Sequence, residues 1–315
     1  MKSKIKCPLC KSTDVQVMEK IQTHQITDLW VRIFQMDVSY IFKNIPELEY
    51  IHCPKCSLKF FNPEIPGDDK FYSNLARLDW YYLHEGKSEY DFATKYISEK
   101  MNVLDIGSGR GVFSKYITGK YTGLELNSQA VETAKKDKIN VIHQTVEDFA
   151  KKTKEQFDVI CTFQVMEHLL EIDSFMKAVS SLIKKDGKFI IAVPNNDSFL
   201  KHLENNILNI PPHHSLQWNE QSLRYLAQMH GYSVEEVYFE KVSAVHALMF
   251  YKGQIGYFIK QIFSRRVKPV NMNFWSVNMF RALSLAGRFL RLTNIHSGFP
   301  GHTVIIVLKK ESVKK

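Results

Sequence analysis

The feature that most constrains this chain is a short apolar run that ends in three glycines, Val-Leu-Asp-Ile-Gly-Ser-Gly-Arg-Gly at 103–111. The run predicts a buried strand that turns sharply onto a ligand. Glycine permits positive φ and places no Cβ between the backbone and the ligand, so the following helix can present its N-terminal amides there. A second apolar run ends in Glu125, 20 residues after Asp105, where a nucleotide-fold carboxylate reaches a ribose diol. The two features together predict a nucleotide-type site.

The spacing of the glycines separates two cofactor classes. Dinucleotide enzymes favour G-x-G-x-x-G, whose third glycine lets the helix pack closely beneath a pyrophosphate. This chain has G-x-G-x-G, with Asp105 ahead of it. That arrangement resembles motif I of the class I S-adenosylmethionine (SAM) dependent methyltransferases, whose cofactor carries an amino-acid zwitterion and ribose hydroxyls but no phosphate. Because this cofactor is cationic, acidic neighbours suit it.

The resemblance extends for more than a hundred residues. Residues 141–149 (VIHQTVEDF) resemble the third strand of that family and its adenine-contacting turn, and 157–163 resemble the fourth strand. Gln-Val-Met-Glu-His-Leu at 164–169 is similar to the xxLEH element of a branch that includes ubiquinone-pathway O-methyltransferases and sugar methyltransferases. Residues 182–194 resemble the fifth strand and its turn. The resemblance implies an α/β fold, with a Rossmann-like, seven-stranded, mostly parallel sheet and helices on both faces.

The same resemblance implies a set of residues that bind SAM. They come from the ends of successive strands: Asp105, Gly107, Ser108, Gly109, Gly111, Glu125, Leu126, Val146, Glu147 and Gln164. Asp148 joins Val146 and Glu147 in the positions that pack on or bond the adenine.

Four of the five cysteines form two Cys-Pro-x-Cys pairs, Cys7 with Cys10 and Cys53 with Cys56. In a reducing cytoplasm such thiols suit tetrahedral zinc, with sulfur about 2.3 Å from the ion. A site without metal and a redox pair are the alternatives. Four thiolates leave no open position for water, so the zinc would be structural. The gap of 42 residues between the pairs predicts an inserted helix or hairpin at about 28–45, and Cys161 is expected in the core.

Similar zinc modules precede the SAM domain in certain deoxysugar C-methyltransferases, which residues 53–66 resemble, and in some rRNA methyltransferases. The segment after residue 66 predicts a tyrosine-rich helix. It would form either a wall of the acceptor pocket or part of the ordinary core, and the residues expected on it are Tyr72, Tyr81, Tyr82 and His84. We therefore expect a zinc-ribbon-like module at 1–66, linker helices at 67–100 and a methyltransferase domain at 101–315.

Two segments offer a general base. In this branch of the family the loop after strand five passes over the methyl group, and His214 matches the histidine there; a surface residue is the alternative. The deoxysugar enzymes have Glu-His where this chain has His213 and His214, which weakens that specific chemistry. Glu167 and His168 follow strand four, at the edge where open α/β folds bind ligands. Glu167 and His168 either act on the acceptor or only orient the loop. A related E-x-x-E-H element binds a metal ion in other methyltransferases, but this chain has Gln164 at the first acidic position, which weakens the prediction of a metal here.

The basic excess of the chain lies at its C-terminal end. Residues 241–315 hold 13 Lys and Arg and one acid, whereas the other 240 residues hold 29 basic and 32 acidic side chains. Apolar residues recur at helical intervals over 273–292, beside Arg281, Arg288 and Arg291. A basic amphipathic helix packs on its own protein, binds nucleic acid or lies on an anionic membrane. We expect 245–300 to be an insertion between strands six and seven that serves as a substrate lid.

These patterns predict an enzyme that transfers a methyl group from SAM to a small-molecule, glycan or lipid-linked acceptor, at oxygen. The alternative is a zinc-ribbon RNA methyltransferase, although strand four lacks the N-P-P-aromatic element of enzymes that methylate base amines. A catalytically silent binding module would require damage to the cofactor loop, which is intact. The chain begins without the apolar core of a secretory leader and has no run of 18 apolar residues, so we expect a cytoplasmic protein, at most peripheral on a membrane.

Overall fold

The computed structural model describes residues 5–78, 81, 87–273 and 295–311. The chain divides into two compact units. The first unit comprises Met1–Gly67, Pro194–Asn219 and Phe239–Val304, and the second comprises Asp68–Val193, Glu220–Tyr238 and Ile305–Lys315. The domain boundaries expected from the sequence stay predictions.

Eleven strands and eight α-helices are found in the described residues. The strands are β1 (Gln16–Gln22), β2 (Glu47–His52), β3 (Lys59–Asn62), β4 (Asn102–Ile106), β5 (Lys120–Glu125), β6 (Val141–His143), β7 (Phe157–Phe163), β8 (Ile183–Pro194), β9 (Leu216–Gln217), β10 (Tyr232–Lys241) and β11 (Pro300–Lys310). The helices are α1 (Thr23–Phe34), α2 (Asp69–Leu75), α3 (Ser88–Thr94), α4 (Ser128–Lys136), α5 (Val146–Lys152), α6 (Ile172–Leu182), α7 (Glu220–Met229) and α8 (Ala247–Ile262).

A seven-stranded sheet organises the second unit, with strand order β10-β11-β8-β7-β4-β5-β6. The pairs β4–β5, β4–β7, β5–β6 and β7–β8 are parallel, and the predicted α/β fold is confirmed. Strands of a parallel sheet are covered on both faces, so their sequences are continuously apolar. β7 follows this rule, since all of its residues except Asp158 are buried.

β4 lies at the middle of this sheet, and its register decides which side chains meet at the glycine loop. Asp105 pairs with Gly123 of β5 on one side and with Cys161 of β7 on the other. Cys161 is fully buried, as expected, and burial raises its pKa well above the usual thiol value. The core around β4 includes Val103, Phe113, Val159, Phe163, Ile190 and Val307.

The first unit contains a four-stranded sheet, with strand order β1-β2-β3-β9. β1, β2 and β3 pair antiparallel, and β3 then pairs with the short strand β9, which follows it by about 150 residues in sequence. Between the two cysteine pairs the chain forms β1, α1, a 3-10 turn at Ser39–Phe42 and β2. The predicted helix therefore exists but begins at Thr23, and the fully buried Trp30 anchors it.

α8 lies between β10 and β11 in the chain and packs on the 3-10 turn Phe199–His202. A buried ion pair joins Lys260 Nζ of α8 to Glu204 Oε1 at 2.6 Å. The helix expected over 273–292 falls outside the described residues apart from Asn273. Within the ranges that are described, no helix has both the length and the apolar character needed to cross a bilayer.

Candidate cofactor site and cysteine cluster

The glycine loop follows β4 directly and adopts left-handed backbone at each of its three glycines. Their φ angles are +74° at Gly107, +55° at Gly109 and +74° at Gly111. A Cβ at Gly107 would lie 2.3 Å from Val165 Cγ2, and one at Gly111 would lie 2.6 Å from Ile139 Cγ2. Glycine is therefore required by space as well as by φ. The element after the loop is a 3-10 helix, Val112–Tyr116, where the sequence predicted a regular helix.

Asp105 is buried beneath this loop. Its Oδ2 accepts a hydrogen bond of 2.8 Å from the Tyr121 hydroxyl, whereas its Oδ1 has no hydrogen-bond partner among the described residues. Burial raises the pKa of Asp105 to about 7, although the Tyr121 bond and Lys87 oppose the rise. An unpaired buried carboxyl oxygen is costly, and a cationic ligand group offsets that cost. The site thus fits the ammonium of an amino-acid ligand.

Tyr121 was not singled out in the sequence, yet a signal for it exists. Side chains alternate along a strand, so Tyr121 shares a face with Gly123, the residue paired with Asp105. A Cβ at Gly123 would lie 3.0 Å from the Tyr121 hydroxyl and 2.6 Å from Ser108 Oγ. Gly123 therefore leaves room for the Tyr121 hydroxyl, which bonds to Asp105, and for Oγ of the predicted site residue Ser108.

Glu125 ends β5, as predicted, and binds backbone amides. Its Oε2 accepts from Gly109 N at 2.7 Å, and its Oε1 accepts from Leu126 N and Asn127 N, each at 2.7 Å. The carboxylate therefore ties the glycine loop to the start of α4, where Asn127 caps the helix through Ala130 N. Leu126 is 59% exposed, which suits a residue that covers a flat apolar base.

The turn expected at the adenine leads into α5. Thr145 caps this helix by accepting from Asp148 N at 3.1 Å, and Val146 is buried. Glu147 Oε1 accepts from Ser174 Oγ at 3.4 Å. Asp148 pairs with Lys151 at 3.0 Å, and this contact lowers the pKa of Asp148. Val146, Glu147 and Asp148 stay predicted adenine contacts, and the Asp148 carboxylate is paired locally with Lys151.

The segment after β7 carries Gln164, Glu167 and His168. Gln164 has φ +60°, and its N donates to Ala192 O of the neighbouring strand at 2.8 Å. Glu167 is 1% exposed, and burial raises its pKa to about 8. A carboxyl that is protonated at neutral pH is a poor proton acceptor, so of the two candidate bases here His168 is favoured.

Of the described residues expected on a tyrosine-rich helix before the core, the structure places only Tyr72 on a helix, and their role as a wall of the acceptor pocket stays a prediction. Tyr72 lies on α2, and its hydroxyl is 3.1 Å from His168 Nδ1. α2 ends at Leu75, so Tyr81 lies beyond the helix expected to carry it. Tyr82 and His84 fall outside the described residues.

His214 belongs to the first unit and is buried, as is His213. The two rings stack, with centroids 4.4 Å apart and planes 26° from parallel. His214 Nδ1 lies 3.3 Å from Asn209 Oδ1, and Asn209 Nδ2 donates to Asn196 Oδ1 at 2.7 Å. A buried, hydrogen-bonded histidine is not the surface residue considered as the alternative. Asn209 lies five residues before His214 and thirteen after Asn196, in an irregular segment whose sequence has no periodic pattern that would have indicated these contacts.

The four predicted zinc ligands converge in the first unit. Cys7 Sγ is 3.5 Å from Cys56 Sγ, and Cys10 Sγ is 3.4 Å from Cys53 Sγ. All four sulfurs lie within 4.8 Å of one another. Tetrahedral zinc with bonds of about 2.3 Å requires sulfurs about 3.8 Å apart. The cluster therefore fits such an ion closely.

The two cysteine turns have the same backbone geometry. Lys11 N donates to Cys7 O at 3.0 Å, and Ser57 N donates to Cys53 O at 2.8 Å. Lys11 and Ser57 are both left-handed, with φ of 57° and 64°. Two matched turns that face each other are the arrangement expected of a structural zinc site.

Comparisons with known proteins agree with this geometry. A family model described as a methyltransferase domain matches residues 80–237. A ubiquinone biosynthesis O-methyltransferase of Pelagibacter ubique (strain HTCC1062) is 32% identical over 104 residues, which is 31% of this chain and 43% of that protein. Another, from Glaesserella parasuis serovar 5 (strain SH0165), is 33% identical over 119 residues, 32% of this chain and 50% of that protein. The chain thus spans half or less of the length of these curated relatives.

Among solved structures, a SAM dependent methyltransferase from Archaeoglobus fulgidus matches 78% of this chain and 95% of its own, at 19% identity and a TM-score of 0.46. The family model covers half of the chain and includes the glycine loop, Glu125 and the segment after β7. The chain therefore belongs to the methyltransferase domain family, and its resemblance to the class I SAM-dependent methyltransferases is confirmed.

Proposed function

We propose that this protein transfers a methyl group from SAM to an oxygen of a small-molecule acceptor. The observation that carries the proposal is the buried Asp105, whose Oδ1 lacks a hydrogen-bond partner within the described residues, beneath three left-handed glycines. An ammonium group satisfies this carboxyl, and Glu125 and Leu126 then lie at the position of the ribose and the adenine. The curated relatives, named as O-methyltransferases of ubiquinone biosynthesis, support oxygen as the methylated atom.

The residues act mainly by positioning. SAM, when bound, supplies a methyl group on a cationic sulfur, and charge is neutralised as that methyl is transferred. Correct orientation of reacting groups contributes up to about 7–11 kcal/mol, whereas a histidine base contributes about 10²–10⁴-fold in rate. Glu125, which fixes the glycine loop through Gly109 N, is therefore assigned to the positioning of the cofactor rather than to proton transfer.

Isothermal titration calorimetry with SAM and with its demethylated product tests the proposal without knowledge of the acceptor. We expect saturable binding of both to the intact protein. Gly107→Val, which places a larger side chain against Val165, should abolish binding. Absence of heat, and of a thermal shift, for both compounds with the well-folded intact protein would overturn the enzyme assignment.

His214 and His168 are the candidate proton acceptors. We expect His214→Ala to slow turnover but to leave the affinity for SAM near normal. Loss of SAM binding in the same variant would reassign His214, with its Asn209 and Asn196 partners, to a structural role. Because Glu167 is buried and protonated at neutral pH, Glu167→Gln should change turnover less than His168→Gln.

The structural ion of the first unit is proposed to be zinc, held by Cys7, Cys10, Cys53 and Cys56. The matched turns and the short distances between sulfurs support it. Four thiolates complete the coordination shell, so we assign this site to stability rather than to chemistry.

We also propose the chemical class of the acceptor, from the exposed side chains at the C-terminal end of α8. Phe258, Ile262 and Phe263 are 66%, 63% and 67% exposed, and Arg265 and Arg266 beside them are also exposed. Exposed aromatic and aliphatic residues next to arginines suit an anionic lipid surface, and hence a lipid-linked or quinone acceptor. Flotation with liposomes of zwitterionic lipid, with and without phosphatidylglycerol, tests this contact. No binding to either would remove it.

The RNA methyltransferase alternative is separable from this proposal. Nucleic-acid binding falls steeply with salt, because each neutralised phosphate releases counterions. A gel shift on RNA at low and high salt, beside methyl transfer to phenols and glycans, distinguishes the two. A salt-dependent shift together with methylated RNA would favour the alternative.

A further inference from the structure

The ring of His168 is held by a residue from outside the strand ends that form the predicted site. The hydroxyl oxygen of Tyr72 lies 3.1 Å from Nδ1 of His168. The two rings also pack edge to face, with centroids 5.9 Å apart and planes 81° apart. The hydrogen bond fixes the rotation of the imidazole and the ring contact fixes its position. Together they define one orientation of His168.

Tyr72 is itself well anchored. It lies on α2, whose first turn is capped by Asp68 accepting from Phe71 N at 2.8 Å. Phe71 and Leu75, on the same helix, are fully buried. Phe71 also packs edge to face against the Tyr72 ring, with centroids 5.2 Å apart. The tyrosine therefore presents its hydroxyl from a fixed backbone, which is what a residue that positions another side chain requires.

The contact at Nδ1 decides what His168 can do. A neutral imidazole has one protonated and one unprotonated nitrogen, and the bond made by one nitrogen sets the state of the other. A tyrosine oxygen can accept the proton of Nδ1–H. The unprotonated nitrogen is then Nε2, and a general base must have its free electron pair on the nitrogen that meets the acceptor.

We propose that Tyr72 is a positioning residue for methyl transfer, whose oxygen accepts Nδ1–H of His168 and so keeps Nε2 unprotonated for the acceptor. This inference rests on the proposed function. As the acceptor oxygen attacks, the oxygen–methyl bond forms and the sulfur–methyl bond breaks, and its electron pair stays on sulfur, which becomes a neutral thioether. The acceptor O–H proton moves to Nε2. The resulting imidazolium retains its Nδ1–H bond to Tyr72 and later releases the Nε2 proton to solvent.

The tautomer of His168 tests the proposal directly and needs no acceptor. Protein labelled with ¹⁵N at histidine is examined by long-range ¹H–¹⁵N correlation at about pH 8.5, where histidine is ordinarily neutral, because an unprotonated ring nitrogen resonates far downfield of a protonated one. The spectrum of His168→Gln assigns the signal. We expect mainly the Nδ1–H tautomer in the intact protein and mainly the Nε2–H tautomer in Tyr72→Phe.

Tyr257→Phe is the matched control. Tyr257 stacks on His202 with centroids 4.0 Å apart, but His202 Nδ1 bonds to Gln254 Oε1 instead. Removing that hydroxyl should leave the His168 tautomer unchanged. Tyr72→Phe keeps the aromatic ring and its contact with Phe71, so the variant should fold. The spectrum of the intact protein is decisive even without this variant.

The outcomes separate this inference from the proposed function. Calorimetry with SAM on the intact protein and on Tyr72→Phe should give equal affinities, since Tyr72 is placed at the acceptor. Failure of the intact protein to bind SAM overturns the proposed function. Normal SAM binding with the Nε2–H tautomer already present in the intact protein, or with a tautomer that Tyr72→Phe leaves unchanged, overturns the role of Tyr72 alone.

Discussion

The cysteine turns of the first unit and the glycine loop of the second unit both depend on left-handed backbone, yet they use different residues for it. In the cysteine turns the left-handed positions are Lys11 and Ser57, whereas the loop has glycine at all three. Left-handed φ costs an ordinary residue about 1–2 kcal/mol, which a fold can tolerate. A side chain that occupies the space of the missing Cβ, as Val165 does at Gly107, is what makes glycine obligatory. Close approach, rather than φ alone, explains the glycine loop.

The largest effect is expected from removal of one cysteine ligand. Cys53→Ser should reduce bound zinc from one equivalent to a small fraction of one, because structural zinc contributes about 10–16 kcal/mol in small zinc modules. The far-ultraviolet circular dichroism and the thermal transition of the variant should show loss of the first unit. Zinc content is measured by atomic emission after exhaustive dialysis.

The fifth cysteine provides the control for that experiment. Cys161→Ala removes a buried thiol from the second unit and should retain a full equivalent of zinc. Zinc retained by Cys53→Ser, or lost from Cys161→Ala, would contradict the assignment of the cluster.

A smaller but still large effect is expected at Gly107. Gly107→Ala combines strained φ with a Cβ placed 2.3 Å from Val165 Cγ2, and should cost about 2–5 kcal/mol of unfolding free energy. Affinity for SAM should fall by two orders of magnitude or more. Urea denaturation and calorimetry measure the two effects.

Two further variants divide the cost at Gly107 into its parts. Val165→Ala in the Gly107→Ala background removes the clash but leaves the strain, so it should recover part of the stability. Gly231→Ala has φ of +71° with no atom within 4 Å of the new Cβ, and should therefore show strain alone. Equal costs for Gly107→Ala and Gly231→Ala would mean that close approach is unimportant.

Next in size is the pH dependence that Asp105 confers on the ligand-free protein. Burial raises the pKa of Asp105 from 3.8 to about 7, so the folded state keeps a proton that the unfolded chain loses between these values. Stability therefore falls as pH rises through this window, and the full penalty is present above about pH 7. Asp105→Asn should stabilise the protein by up to about 4 kcal/mol at pH 8, and by little near pH 4.

Denaturation of both proteins at the two pH values, without SAM, measures this difference. Asp105→Asn should at the same time weaken SAM binding, since the amide carries no charge for the ammonium. Glu167→Gln should show a stabilisation of the same sign whose window extends to about pH 8. A pH-independent difference between Asp105→Asn and the intact protein would contradict the buried, protonated state.

The smallest effect is expected at the left-handed positions of the cysteine turns. Ser57→Gly relieves strained φ but increases the freedom of the unfolded chain, so the net change should stay below about 1 kcal/mol. Thermal denaturation of the zinc-loaded protein measures it. A large gain in stability would show that the cysteine turns store strain comparable to that avoided in the glycine loop.

The part of the site that the sequence could predict is the part formed by continuous segments. Local patterns predict the order of β4, the glycine loop, β5 and Glu125. The hydrogen bond from Tyr121 to Asp105 could also have been deduced, because side chains alternate along a strand. The contact between Tyr72 and His168 joins residues 96 positions apart, and the pairing of β3 with β9 spans a greater distance. No local pattern encodes such contacts, because they depend on how separate segments fold onto one another.

The strand order of the large sheet has a consequence for how the protein is made. β11 lies between β10 and β8, both of which leave the ribosome before it. Until residues 300–310 have emerged, the backbone edges of β8 and β10 have no native partner in the sheet, and open edges invite pairing with other chains. Completion of the sheet is therefore a late, long-range event, and those two edges stay open to pairing with other chains until β11 is made.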